Sequence, residues 1–448
     1  MKLTNIAYLN YTASGGGAGR ICSLLHQSFQ GSFLYNRYEN NTSKGIVKID
    51  NDAFRNRVHR FCKFLLKLSL DKGIPFLPKL LNGLTNYFSE PIRTLNLWRG
   101  KEDFCFPGSS HPNRYFLKRP SIVHAHNLFP DFFDFRSLEE ISAKYPLLIT
   151  AHDCWLMTGH CAHPFECNRF EKGCGNCPDL MIPPAILRDN TSQNLKVKNK
   201  ILASSKPYLA TPCNWLKEMF LRSKVGHNFQ EIRVIANGVD TNSFFPIMDK
   251  NVLRRKYGLS EDSLIFTFAG NKIFSNPWKN FSVMLKSLQN LATHIDQKVV
   301  FMCIGERGQL IESPNFICQF FDYSKDVEKL NELYNCSDYY LHLAKADTFP
   351  NTILEAQACG IPVFANPICG IPEQILENRT GWLLDSSKPD QIAKAILTKI
   401  SDVDYDQSVK DCRHHITSNF SFEKMILKYK DFYTDILTKK YHPRKLDS

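Results

Sequence analysis

From its first residues the chain alternates short apolar runs with amphipathic stretches. "NIAYLNY" reads as a strand, "SGGGAGR" as a tight glycine loop, and "ICSLLHQSF" as a helix, because Ile21, Leu24, Leu25 and Phe29 recur at helical spacing. "SIVHAHN", "PLLITAHD" and "PYLATPC" follow as further strands, each with a loop or helix behind it. "SLIFTFAG", "KVVFMCIG", "NFICQFF", "DYYLHLA" and "IPVFANP" repeat the grammar in the second half. Strands that are apolar along their length belong in sheets covered on both faces, which are mostly parallel. The pattern predicts an α/β protein of two doubly wound, Rossmann-like domains facing a crevice.

The punctuation places the joints. "NGVDTNSFFPIMDKNVLRRKYG" is polar and broken by Gly and Pro, which divides the chain into residues 1–246 and 247–420. Residues 421–448 open with "SFEKMILKYKDFYTDILTKKY", a final amphipathic helix expected to pack back on the first domain. In "ADTFPNTILEAQACGIPVFANP", Pro350 suits a first helical turn and Gly360 a left-handed stop. Asp347 then lies on the loop feeding a helix and Glu355 within that helix, where strand-helix units bind ligands.

One segment, about 53–70, breaks the alternation. Phe54, Val58, Phe61, Leu65 and Leu68 fall at spacings of four and three, while Arg55, Arg57, Arg60, Lys63 and Lys67 supply charge with no acid between Asp52 and Asp71. It reads either as a basic amphipathic helix for an anionic membrane face or as an ordinary surface helix. No recognised nucleic-acid-binding motif accompanies it, so nucleic acid is not an expected partner.

Charge sharpens this picture more than composition does. Residues 1–246 hold 31 basic against 19 acidic side chains and residues 247–448 hold 25 of each, so the whole +12 lies in the first part. Such asymmetry suits an anionic surface or ligand there. A length of 448 residues at 43% hydrophobic suits two cores rather than disorder. The N-terminus lacks a signal-peptide pattern and no stretch reaches a membrane span, so a cytoplasmic location is expected, peripheral on the inner face of the cytoplasmic membrane. The 15 cysteines are then read as free thiols or metal ligands rather than as a disulfide framework. Cys161, Cys167, Cys174 and Cys177, on the loop 154–177 beside His160 and His163, are a candidate structural zinc set, with redox-labile thiols as the other reading.

Four stretches, taken together, carry a resemblance: "SGGGAGRICSLLHQSF", "TAHDCWLMTGHCAHPFECNRFEKGCGNCPDL", "VIANGVDTNSFFP" and "DTFPNTILEAQACGIPVFANPICGIPEQILENRTGWLLD". In that order they resemble glycosyltransferase family 4, retaining enzymes of the GT-B fold, and within it the colanic-acid type that builds bacterial surface polysaccharides. Residues 50–118 match nothing in that pattern. The resemblance implies a nucleotide-sugar donor on the second domain and a lipid-linked or oligosaccharide acceptor on the first. Glu355 would accept from ribose hydroxyls and Asp347 from the transferred sugar, as carboxylates suit paired OH donors. The family's usual first acid is Glu, so Asp347 is a departure. Lys279 matches the lysine that neutralises the diphosphate and the leaving group. Lys272 stands near the position of an arginine common in the family. Gly16 and Gly17, with Gly15, match a loop whose backbone approaches phosphate. His152 matches a histidine near the reacting sugar, while His124 and His126 read as structural. No catalytic metal is expected, since Lys279 and helix dipoles serve its neutralising role.

The expected reaction is transfer of a sugar to a glycan acceptor in O-antigen, capsule or exopolysaccharide synthesis. A sugar-nucleotide epimerase on the same fold and a noncatalytic membrane-associated scaffold are the alternatives. If the segment 53–70 attaches to membranes, reversing the charges of Arg55, Arg57, Arg60, Lys63 and Lys67 abolishes co-sedimentation with anionic vesicles. Retained binding leaves that segment a structural role.

Overall fold

A computed structural model describes residues 5–49, 61, 64, 91–102, 104, 106–129, 132–324 and 326–439. The charged positions of the basic segment lie outside the described residues. The chain forms two compact units, one of Met1–Thr211, Leu216–Val234 and Lys430–Ser448, the other of Pro212–Trp215 and Ile235–Tyr429. The division near Val234 precedes the 246/247 boundary read from the polar stretch broken by Gly and Pro.

The first unit holds β1 (Ile6–Leu9), β2 (Phe33–Asn36), β3 (Ile46–Lys48), β4 (Ile122–Ala125), β5 (Leu147–Thr150), β6 (Tyr208–Thr211) and β7 (Ile232–Val234). They lie in the order β3-β2-β1-β4-β5-β6-β7 and every pairing is parallel. β1, β4, β5 and β6 are buried at every position, which is why they read as unbroken apolar runs. The order reverses between β1 and β4, leaving a crevice at their C-terminal ends. There His126 N donates to Leu9 O at 2.8 Å and Asn127 N to Asn10 Oδ1 at 3.1 Å.

The second unit holds β8 (Leu264–Ala269), β9 (Val299–Ile304), β10 (Ile311–Ser313), β11 (Phe316–Phe321), β12 (Tyr339–His342), β13 (Val363–Ala365) and β14 (Gly381–Leu383), in the order β10-β11-β9-β8-β12-β13-β14. Only β10 runs antiparallel to its neighbour among these pairings. The reversal here falls between β8 and β12. Stacked rings knit this core, Phe266 on Tyr339 and Phe364 on Trp382, with centroids 5.5 and 4.7 Å apart. Behind the end of β9, Gly305 has φ +126°, and a Cβ there would stand 2.2 Å from Gly270 O. The two backbones approach so closely only because no side chain intervenes.

Helix Phe422–Thr438 begins in the second unit, and from Lys430 onward it belongs to the first. Its Tyr433 hydroxyl meets His124 Nδ1 at 2.7 Å, and Arg233 lies over the Phe432 ring at 4.1 Å. No helix among the described residues is long and apolar enough to cross a membrane.

A buried ion pair fixes the chain after β5. Lys198, on the helix Thr191–Ser205, is fully buried and reaches Glu102 Oε2 at 2.8 Å, Trp155 O at 2.8 Å and Thr158 O at 3.0 Å. Trp155 Nε1 donates to the other Glu102 oxygen at 2.5 Å, and the ammonium sits 4.1 Å from a Trp155 ring centroid. Burial alone pushes Glu102 up and Lys198 down, so each charge is tolerated through the other and through this set of oxygens and donors. Lys198→Met strands the Glu102 carboxylate and is expected to cost about 3–5 kcal/mol in urea unfolding. Lys198→Met/Glu102→Gln recovers part of that loss.

Candidate functional site

The switch point of the second unit gathers three charged or polar side chains: Lys279 from the turn after β8, His342 from the end of β12 and Asp347 from the loop after it. Local structure explains how Lys279 arrives there. Asn276 Oδ1 accepts from Trp278 N at 3.0 Å and so caps the short turn Pro277–Lys279. Asn280, at φ +57°, closes that turn and donates from Nδ2 to Leu343 O at 2.9 Å. Lys345 N donates back to Trp278 O at 2.7 Å. The turn after β8 is thereby tied to the loop after β12, and Lys279 Nζ meets Asp347 Oδ2 at 3.0 Å.

His342, the last residue of β12, is 1% exposed and places Nε2 3.6 Å from the same oxygen. Although burial raises the Asp347 pKa, Lys279 and His342 together hold its carboxyl well below the ordinary carboxylate range. Burial lowers His342, so its imidazole is neutral near pH 7. The result is a fixed carboxylate, a cation and a neutral imidazole at the end of a parallel strand, a set able to take sugar hydroxyls and a phosphate.

The expected helix runs Asn351–Ala358 with Pro350 at its N-cap, and Gly360 follows at φ +76°. Glu355 lies on it as anticipated, 5% exposed, and Tyr334 donates its hydroxyl to Oε2 at 3.0 Å. Lys272 is exposed at φ +57° on the loop after β8.

The first unit carries the remaining candidates. Helix Gly16–Ser28 starts at Gly16, so Gly16 and Gly17 are its first turn rather than a loop before it. Gly16 has φ +69°, which glycine adopts without strain, and Thr12 Oγ1 braces Gly15 through its NH and carbonyl at 3.2 and 2.8 Å. Free NH groups at such a helix start suit an anion. His152, just past β5, pairs through Nε2 with His126 Nδ1 at 2.9 Å. Burial draws His152 down to about 4 and lowers His126 as well, so both are neutral and one donates while the other accepts. His124 bonds Thr150 Oγ1 and the Tyr433 hydroxyl, each at 2.7 Å, a structural role. His126, His152, Asp153, Phe129 and Trp155 line a solvent-open cavity. Burial raises Asp153 to about 6.

The structure thus joins Lys279 to Asp347 directly, sets Glu355 in the same unit, and holds His152, Gly16 and Gly17 in the other. His342, Tyr334, His126 and Asp153 were missed as site residues. His342 and Asp153 carried a signal, since each stands at or just beyond the C-terminal end of a legible strand. The four loop cysteines are free and partly exposed. Burial pushes Cys161 up to about 12 and Cys174 to about 11.

A pair of parallel α/β units, the second bearing a lysine-carboxylate pair at its switch point, is the GT-B architecture. Residues 249–413, within the second unit, match the family described as Glycosyl transferases group 1. The UDP-Gal:alpha-D-GlcNAc-diphosphoundecaprenol alpha-1,3-galactosyltransferase of Escherichia coli is 26% identical over 226 residues, 47% of this chain and 56% of the relative. WcaC of Escherichia coli K12, named for colanic acid biosynthesis, is 21% identical over 445 residues, 96% of this chain and 100% of the relative. For three of the curated relatives the match spans only 55% to 61% of their length. Among solved structures, HepE from Anabaena in complex with UDP and glucose superposes with a TM-score of 0.60 at 13% identity, covering 96% of this chain and 99% of that one. That likeness concerns the fold.

The Asp347 pKa has a stability consequence. A carboxyl depressed in the folded state contributes stability above its unfolded pKa of about 3.9, and that contribution fades as pH falls toward the folded value. The gap in unfolding free energy between wild type and Asp347→Asn therefore narrows as pH drops from about 6 to about 3. A gap independent of pH contradicts the ion pair.

Proposed function

We propose that the chain is a retaining glycosyltransferase that moves a sugar from a nucleotide-sugar donor to a lipid-linked glycan acceptor, in assembly of a bacterial surface polysaccharide. The observation that carries this reading is the Lys279–Asp347 pair at the β8/β12 switch point, within the residues matched by the group 1 family. The names of the two Escherichia coli relatives, one acting on a diphosphoundecaprenol-linked sugar and one named for colanic acid, support the acceptor class. HepE, held with UDP and glucose, supports the donor class.

In this reading Lys279 exchanges its carboxylate partner for the donor diphosphate and stabilises the charge that develops as the glycosidic bond breaks. Asp347, released from the lysine, accepts from hydroxyls of the transferred sugar, and Glu355 accepts from the ribose. Tyr334 donates to one Glu355 oxygen and helps orient the carboxylate toward the ribose. The acceptor hydroxyl attacks the face the diphosphate leaves, and its proton passes to the departing phosphate oxygen. The basic first part of the chain and its segment 53–70 favour attachment to the anionic inner face of the membrane. An epimerase has no use for an acceptor-side charge asymmetry, and a scaffold none for Lys279, Asp347 and Glu355 together.

A thermal-shift screen against UDP-, GDP-, dTDP- and ADP-sugars checks the donor site, since a ligand of the folded state raises the melting temperature. One nucleotide is expected to shift the wild type. Glu355→Ala and Lys279→Met each weaken that ligand tenfold or more, about 1.4 kcal/mol. Undiminished affinity in both variants contradicts these roles.

A further inference from the structure

Away from the switch points, one loop of the first unit gathers four thiols. Cys161, Cys167, Cys174 and Cys177 all line a single solvent-open cavity, together with His160 and Thr191. Each is partly exposed, whereas Cys22, Cys154, Cys303 and Cys318 are buried and serve as small core side chains. Packing therefore accounts for the second group and leaves the first without a role.

The backbone that carries these thiols is pinned on both sides of the cavity. Thr158 Oγ1 donates to Cys161 O at 2.6 Å, and Thr158 O in turn accepts from the buried Lys198. Opposite, Cys177 N donates to Asp189 Oδ2 at 2.6 Å and Gly175 N to Thr191 Oγ1 at 2.9 Å. Between these anchors Gly173, Cys174, Gly175 and Asn176 take φ of +114°, +59°, +97° and +49°. Four successive positive-φ residues, two of them not glycine, are a costly backbone. Its outcome is that both ends of the C-G-N-C turn reach the same cavity.

His160 adds a further donor. Its Nδ1 lies 3.0 Å from Pro184 O, and a carbonyl only accepts, so Nδ1 bears the proton. The Nε2 lone pair then faces Cys177 Sγ at 3.4 Å, and that thiol donates to Asp179 O, also at 3.4 Å.

Among the described residues no three His, Cys, Asp or Glu side chains are gathered at ligating distance of one point. Closure is open to the side chains alone: rotating a cysteine between staggered χ1 wells carries its sulfur about 3 Å with no backbone shift. We propose that this cavity is a structural site for a soft divalent ion of the zinc class, with Cys161, Cys167, Cys174 and Cys177 as its thiolate ligands. Loading replaces four S–H bonds with metal–sulfur bonds, releases the protons to solvent and changes no oxidation state. The ion cross-links the loop that follows His152 and Asp153, joining its Cys161 side to the C-G-N-C turn. This holds whether or not the chain is a transferase.

The test is metal content of the full chain, purified from zinc-supplemented culture and dialysed. About one zinc per chain is expected by mass spectrometry. Cys174→Ser/Cys177→Ser should fall below a tenth of that, while His160→Gln retains it. Because the double variant is exposed to misfolding, the wild type supplies a second readout: adding a chelator should make four thiols newly reactive toward a thiol reagent, with the far-ultraviolet circular dichroism unchanged. Cobalt substitution should give intense thiolate-to-metal charge-transfer absorption. Metal-free wild type with all four thiols reactive from the start overturns the proposal, as does zinc that survives the double variant. Zinc lost in His160→Gln but kept in Cys167→Ser overturns the ligand set.

Discussion

The ion pair between Lys279 and Asp347 depends on two loops being held together before any ligand arrives. Asn280 and Lys345 cross-bond the turn after β8 to the loop after β12, and the sheet order places those strands side by side at the reversal. A parallel sheet leaves its C-terminal strand ends with nothing to cover them but loops, and at a reversal the loops part to either side. The lysine and the carboxylate are thus a consequence of topology as much as of sequence. They also compensate each other: each is partly buried, and the ammonium offsets the cost of burying the carboxylate. A diphosphate that displaces the carboxylate restores neutrality around the lysine, and the freed carboxylate is left to accept hydroxyls. The ground state without ligand and the proposed donor complex use the same charges with exchanged partners.

The first unit answers the same topological constraint with different chemistry. Its strand ends carry neutral groups, with His126 and His152 paired and burial pulling both down. The helix start at Gly16 offers backbone NH groups rather than a cation. The chain after β5 is long and irregular, and the Lys198–Glu102 pair with Trp155 holds its near part. Its far part, from Cys161 to Cys177, is where the proposed metal would act.

The central strands of both sheets were legible because burial on both faces demands apolar residues at every position, as in Ile6–Leu9, Leu147–Thr150 and Val299–Ile304. The outer strands β2, β3, β7, β10 and β14 were not. They span three or four residues, and β3, β7, β10 and β14 are partly exposed, so their pattern falls below what periodicity resolves. Asp347 and Glu355 stood out on the loop and helix read from the sequence and Lys279 through the family resemblance, but the pairing of Lys279 with Asp347 was not legible, since they meet across a long stretch of chain. The glycine run was read as a loop because glycine disfavours helix interiors. At a helix start it has no such cost, and Gly16 needs the positive φ. Glu102 and Lys198 drew no reading from the sequence, and only tertiary structure shows them buried and paired.

Hydrogen–deuterium exchange with and without nucleotide-sugars tests the central claim most directly, because it reports where on the chain a donor binds. The account predicts protection of the backbone around residues 270–280 and 343–358 with one class of nucleotide-sugar, and no such protection in Lys279→Met. Protection confined to the first unit, or none with any nucleotide-sugar, would contradict a donor site built on the Lys279–Asp347 pair.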